Sequence, residues 1–173
     1  MSYKIIDNFL DKDLFLKISD DLTGENTPWF LRKQDVDSKQ AKNKNGYFSF
    51  CYYNNHRPDH PLYYQHIEPI LKKLNVLSLV QVRANLVLKS EDTIECGYHI
   101  DYNSNKTTTG ILFLTGCNAK TVLKIDKDEI LIDNKENRML LFNTSILHKV
   151  IYQTDVERRY IINFNFLEED VKH

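Results

Sequence analysis

The chain is poor in cysteine, has almost no net charge and lacks any long apolar run. Its 173 residues include three cysteines, Cys51, Cys96 and Cys117. An odd and scattered set of that kind is a poor disulfide framework. Lysine and arginine number 23 against 24 aspartates and glutamates, for a formal net charge of -1. With no global positive field, electrostatically driven nucleic-acid binding is disfavoured, and a local contact is the route left to it. No stretch approaches the ~18 consecutive apolar residues that a membrane-crossing helix requires. The opening MSYKIIDNFLDKD lacks the basic start and apolar core of a signal peptide. Repeats, low-complexity tracts and evident linkers are missing as well. These absences lead to the expectation of one soluble domain over 1–173, in a reducing, cytoplasmic setting.

What is present suits a folded domain. The hydrophobic fraction is 42% and the charged fraction 27%, a globular balance in a chain long enough for one core. Tyr3 to Ile6 reads as a short strand. From Asp11 to Leu22, the residues Leu14, Phe15, Ile18 and Leu22 recur at helical offsets, with Asp11 as the N-cap. Residues 33–46 are polar and carry Lys39, Lys42 and Lys44. They read as a loop, with a flap over substrate beside Trp29 as the functional alternative. Tyr47 to Tyr53 is an aromatic strand, and Leu62 to Leu74 a second amphipathic helix kinked at Pro69.

From Val76 onward, short β-branched and aromatic runs follow one another: Val76–Lys89, Thr108–Leu114, Thr121–Ile125, Glu129–Ile132, Arg138–Phe142, Lys149–Tyr152 and Arg159–Phe166. Polar turns separate them. Helices first and closely spaced strands afterwards predict an antiparallel sandwich or barrel. The helical support should occupy about 1–75 and the β core about 76–167.

The stretch GYHIDYNSNKTTTGILFL sets His99 and Asp101 two residues apart. Alternate residues of a strand share a face, so both side chains can address one metal ion. His148, in LLFNTSILHKVIY, is the candidate third ligand. Two histidines and one carboxylate on one face of a metal form the facial triad of non-haem iron(II) oxygenases, which leaves positions open for co-substrate and dioxygen. If the co-substrate is 2-oxoglutarate, its far carboxylate needs a fixed cation, and arginine binds carboxylate through two parallel hydrogen bonds. DVERRYIINFNF offers Arg158 and Arg159. Alternation puts Arg159 with Ile161, Asn163 and Asn165, and Arg158 with Tyr160, Ile162, Phe164 and Phe166. The apolar set suits packing on the helices, so Arg159 is the expected anchor, with Asn163 adding a hydrogen bond.

With these residues in view, the chain resembles the iron(II)/2-oxoglutarate-dependent dioxygenases, and most of all short prolyl-hydroxylase-like members of the kind carried by bacteriophages. YKIIDNFL, TPWF, NNHRPDHPLYYQHIEPILKKL, VRANLVLKSE, YHIDY, ENRMLLFNTSILH and RRYIINFNFLE follow in the family's order across nearly the whole chain. The resemblance implies a mainly β fold with N-terminal helices, a double-stranded β-helix (jelly-roll). It implies Fe(II) held by His99, Asp101 and His148, and 2-oxoglutarate held by Arg159, Asn163 and Asn85. It also implies an oxidoreductase that uses dioxygen to hydroxylate a substrate, with a peptidyl proline as one candidate. Asp101 favours hydroxylation, since related halogenases lack that carboxylate. Two features depart from the pattern. Val87 stands where relatives often carry a tyrosine that touches 2-oxoglutarate, and CNAKTVLKIDKDEI lacks the usual glycine-rich turn.

Blander readings compete. His99 and Asp101 could be a solvated pair, with His148 capping a strand. His56 and His60 flank RPD, where proline argues against a shared helical face. Cys96 reads as a small buried hydrophobe and Trp29 as packing. The alternatives at the level of function are nucleobase or small-metabolite oxidation by the same chemistry, and a non-catalytic jelly-roll binding module.

Overall fold

The computed structural model describes residues 3–32 and 46–168. The polar, lysine-rich segment with Lys39, Lys42 and Lys44, and the flap reading attached to it, fall outside the described residues. Among the described residues no helix is long and apolar enough to cross a membrane.

The chain opens with β1 (Tyr3–Ile6) and α1 (Lys12–Thr23). On α1, Phe15, Ile18 and Leu22 are buried, the three- and four-residue spacing that puts side chains on one helix face. Asp11 takes the N-cap position with an extended backbone, φ -62° and ψ 147°. Gly24 ends the helix, its N–H donating to the Asp20 carbonyl at 2.9 Å. Then come β2 (Phe30–Arg32), β3 (Tyr47–Asn54) and β4 (Arg57–Pro58).

The second helical segment departs from the expected single kinked helix. Tyr63–Ile67 forms a π-helical turn and α2 covers Glu68–Leu74. Pro69 lies in the first turn of α2, where its missing N–H would have had no intrahelical partner. The proline therefore starts a helix here and does not bend one. Asn75, at φ 49°, provides the left-handed stop.

Seven strands follow: β5 (Val76–Leu88), β6 (Thr107–Phe113), β7 (Cys117–Ile125), β8 (Asp128–Asn134), β9 (Arg138–Asn143), β10 (His148–Ile151) and β11 (Arg158–Glu168). The major sheet runs β1-β9-β6-β11-β5-β3-β2, with β4 on β3, and the minor sheet runs β10-β7-β8. From β6 the chain alternates between them: β6 major, β7 and β8 minor, β9 major, β10 minor, β11 major. That is the winding of a jelly roll. All pairings are antiparallel.

Each face of the major sheet has its own apolar layer. Toward the helices, Val82, Ala84, Tyr160, Ile162, Phe164 and Phe166 pack with Phe15, Ile18, Leu22, Ile67 and Ile70. Toward the minor sheet, Ile111, Phe113, Leu140, Phe142 and Ile161 meet Leu123 and Ile132. Trp29 packs on the helical side, 5.8 Å from the Tyr160 ring and 6.3 Å from Phe50. The period-2 alternation of β5 and β11 thus sends one set of side chains into the core and the other into the space between the sheets.

Candidate metal and co-substrate site

The space between the sheets is not filled by side chains throughout. A cavity of about 420 Å³ lies there, and its lining includes His99, Asp101, His148, Arg159, Asn163 and Asn85.

His99 and His148 are brought together by backbone pairing. The His99 N–H donates to the His148 carbonyl at 3.0 Å, and the His148 N–H donates back at 2.9 Å. Residues directly opposite in an antiparallel pair put their side chains on the same face. The ring centroids are 4.2 Å apart. Cys96 N–H to the Val150 carbonyl and Tyr152 N–H to the Ile94 carbonyl, both 2.9 Å, continue the pairing. Residues 94–99 therefore run along the free edge of β10. His99 lies in an isolated bridge and Asp101 in a bend. The two approach each other without the regular strand that alternation presupposes.

Asp101 is oriented by two neutral donors. Its Oδ2 accepts from Thr109 Oγ1 at 2.8 Å and from Asn165 Nδ2 at 2.9 Å. Thr109 and Asn165 face each other across β6 and β11 and are bonded to one another at 3.1 Å. Oδ1 is left facing the histidines, 3.6 Å from His148 Nε2 and 3.9 Å from His99 Nε2. His148 Nδ1 lies 3.0 Å from the Ile146 carbonyl. A carbonyl can only accept, so that nitrogen carries the proton and Nε2 presents its lone pair to the site. Burial first, and then the His99 ring, push His148 below the ordinary imidazole range, against the opposing pull of Asp101.

One potential ligand atom from each of the three residues lies within 4.8 Å of the others, and no further such group of three occurs among the described residues. Two imidazoles and one carboxylate are a donor set suited to a divalent first-row metal. His56 and His60 take no part in such a cluster. The His60 ring packs edge-on to Phe50 at 4.9 Å.

Arg159 occupies another part of the same cavity and is 1% exposed. Its Nε donates to Asn134 Oδ1 at 2.6 Å, and Asn134 in turn donates to the Thr115 carbonyl. Nη2 has no hydrogen-bond partner among the described residues. Burial pushes the guanidinium pKa below its ordinary value, and no carboxylate among the described residues pairs with it. Arg158, the neighbouring candidate, is exposed. Val87 is the cross-strand partner of Arg159 on β5 and forms an apolar part of the cavity wall. Tyr152, at 5% exposure, also lines the cavity.

The unpaired polar atoms converge. Among the described residues, seven buried side-chain polar atoms have no partner, and five of them belong to residues lining this cavity: Asn85 Oδ1, His99 Nδ1, Thr121 Oγ1, Arg159 Nη2 and Asn163 Oδ1. Folded proteins rarely leave such atoms unpaired. Their concentration makes this cavity the candidate ligand site. Sequence reasoning missed Thr109, Thr121 and Asn134, whose roles depend on contacts between distant strands. The period-2 pattern of TTTGILF was the only trace of Thr109. Cys96, expected as a small buried hydrophobe, is half-buried and lines the cavity.

No family profile and no curated protein matches this chain. Solved structures do. A prolyl hydroxylase from Trichoplax adhaerens, in complex with a hypoxia-inducible-factor oxygen degradation domain peptide, aligns with a TM-score of 0.67 at 16% identity, over 96% of this chain and 84% of that one. A 2OG-Fe(II) oxygenase family oxidoreductase from Burkholderia pseudomallei gives 0.67 at 12%, over 95% and 85%. A Pseudomonas putida prolyl-4-hydroxylase gives 0.62 at 12%, over 97% and 93%.

The fold is the double-stranded β-helix. At these identities the likeness is one of architecture, and it extends over almost the whole chain. The expected fold class, mainly β with helices bracing one sheet, is what the structure has.

Proposed function

We propose that this chain is an Fe(II)- and 2-oxoglutarate-dependent dioxygenase that hydroxylates an organic substrate. One observation carries the reading. A cluster of two histidines and one carboxylate shares a cavity with a buried arginine whose Nη2 has no partner.

His99, Asp101 and His148 would hold the metal. Iron in such a site supplies oxidation of an unactivated C–H bond by dioxygen, coupled to oxidative decarboxylation of 2-oxoglutarate to succinate and carbon dioxide. The protein's own contribution is positional. Thr109 and Asn165 keep one oxygen of Asp101 occupied, so the other points to the metal position. The Ile146 carbonyl fixes the His148 tautomer. Arg159 would take the far carboxylate of 2-oxoglutarate. Its Nε is already committed to Asn134, which sets the plane of the guanidinium and leaves Nη2 for the ligand. Asn163 and Asn85 offer amides on the same wall. Val87 supplies no phenol, and Tyr152 also lines the cavity.

Proline in a peptide is the first substrate class to test, because two of the structural neighbours described above are prolyl hydroxylases. The experiment is succinate release from 2-oxoglutarate by the Fe(II) protein in air, screened with proline-containing peptides, small acids and nucleosides. Stimulated release together with product oxidation supports the reading. Iron and 2-oxoglutarate that fail to bind at all would leave a non-catalytic binding module.

A further inference from the structure

The cavity holds a second arginine that the reading above does not use. Arg83 lies on β5, and alternation puts it on the cavity face with Asn85 and Val87, while Val82 and Ala84 enter the helical core. It is half-buried within a sheet. Among the described residues it makes no hydrogen bond and no ion pair. A partly buried arginine on a cavity wall, without a paired carboxylate, keeps its guanidinium donors available to a ligand.

Among the described residues no carboxylate is paired with it. Its cross-strand partners are Asn163 on β11 and Cys51 on β3. The Cys51 thiol is pushed up to about 11, chiefly by burial, so it stays neutral. Its Sγ lies 3.7 Å from the Tyr53 carbonyl and 3.9 Å from that of Val82. Asp59, near Cys51, lies 3.8 Å from Arg57 in an ion pair. Asp101 is committed to Thr109, Asn165 and the two histidines. Gln81, the previous residue on the cavity face, is bonded to Asn54 at 3.1 Å. Beside Arg83, Asn163 Oδ1 is buried and unpaired.

The two cavity arginines are not equivalent. Arg159 is enclosed and tethered to Asn134, whereas Arg83 is half-buried and untethered, one strand away and level with Asn163. A small diacid bound at the metal position and at Arg159 leaves Arg83 still uncompensated. We propose that Arg83 binds a carboxylate of the substrate, and therefore that the substrate is an acid: a small carboxylic acid, or a peptide with a carboxylate close to the oxidised carbon. The inference rests on the proposed use of Arg159 for 2-oxoglutarate.

The test uses the full chain loaded with Zn(II) and saturated with 2-oxoglutarate. Arginine Nε–H resonances are followed by ¹⁵N NMR during titration with butyrate and, separately, with butyramide. The Arg83 resonance is the one absent from Arg83→Gln. Butyrate should shift it saturably, butyramide should leave it in place, and the Arg159 resonance should stay fixed. In Arg83→Gln, calorimetric 2-oxoglutarate affinity should remain within about twofold of wild type, while butyrate affinity should fall at least about tenfold. Comparing N-acetylproline with a doubly capped Glu–Pro dipeptide as competitors of butyrate then separates a free acid from a peptide side chain. An Arg83 resonance that ignores butyrate, or that responds equally to butyramide, overturns the proposal. Loss of 2-oxoglutarate binding in Arg83→Gln but not in Arg159→Gln would overturn both this inference and the assignment of Arg159. Failure of the wild type to bind 2-oxoglutarate would count against the oxygenase reading itself.

Discussion

His99 and His148 exchange both backbone hydrogen bonds, at 3.0 and 2.9 Å, although 48 residues separate them in the chain. This pairing attaches the arm over residues 94–99 to the edge of β10 and so brings together two of the three candidate metal ligands. Replacing either imidazole should therefore remove a ligand without removing the backbone pairing. For His148→Ala and for Asp101→Ala, Mn(II) affinity measured by anaerobic calorimetry should fall at least about tenfold from a single-site wild-type isotherm, with little change in thermal stability of the metal-free protein. Unchanged affinity in both variants would remove the metal centre from the account.

Thr109 and Asn165 should behave as positioning residues for Asp101. Thr109→Val and Asn165→Ala free the Oδ2 oxygen, so the carboxylate loses its fixed orientation. Metal affinity should drop by about 10- to 100-fold, the range typical of hydrogen-bond partners behind a ligand. Asn165→Asp puts a second carboxylate against the first. It should weaken binding more at pH 8 than at pH 5, where a carboxyl proton can be shared.

Arg159 and Arg158 make a paired test. Removing a buried charge-assisted contact costs about 2–3 kcal/mol, or roughly a 30- to 150-fold loss of affinity. Arg159→Ala should weaken 2-oxoglutarate binding by that factor and leave Mn(II) binding nearly intact. Arg158, exposed at the start of β11, should tolerate alanine with little effect.

These residues also show how far the sequence could be read. RRYIINFNF alternates polar and apolar residues from Arg159 to Phe166 except at Ile161. That pattern is enough to put Arg159 on one face of the strand and Tyr160, Ile162, Phe164 and Phe166 on the other. Helices preceding many short strands predict only an antiparallel sandwich or barrel; the jelly-roll came from the family likeness. β2, with three exposed residues, has too little alternation to stand out. Pro69 suggested a kink because nothing local distinguishes an interior proline from one in a first turn. Asn134 under Arg159, and Thr109 with Asn165 behind Asp101, are contacts between strands distant in sequence. No local pattern encodes them until the sheet register is known.

Away from the cavity, a buried polar cluster should make stability depend on pH. His66 is fully enclosed, with Nε2 2.8 Å from Asp21 Oδ2 and Nδ1 2.7 Å from the Tyr52 hydroxyl. Burial lowers its pKa below 6.5; the Asp21 hydrogen bond and charge oppose this, while Lys17 and His60 add to it. A histidine with a depressed folded pKa contributes fully above its unfolded value, and the contribution is lost as pH falls below it. The urea midpoint of the metal-free protein should thus decline from pH 7.5 through pH 6.5 to pH 5. His148, lowered in the same direction, adds to the decline, so His66→Gln should shrink the loss and not abolish it. Asp21 is lowered from 3.8, chiefly by its hydrogen bond to His66. Its contribution disappears only in the more acidic range. A midpoint that is flat between pH 7.5 and 5 would contradict a neutral, buried His66.

The account turns on one cavity holding a metal at His99, Asp101 and His148 while 2-oxoglutarate reaches Arg159. The most direct measurement is anaerobic titration of the Fe(II) protein with 2-oxoglutarate, followed by visible absorption. A keto acid chelated to Fe(II) produces a charge-transfer band. Wild type should develop it saturably, with one equivalent of iron. His148→Ala should not develop it, and Arg159→Ala should require about 30- to 150-fold more 2-oxoglutarate to do so. A wild-type protein that shows no band with both components present, or a band unaffected in His148→Ala, would contradict the account.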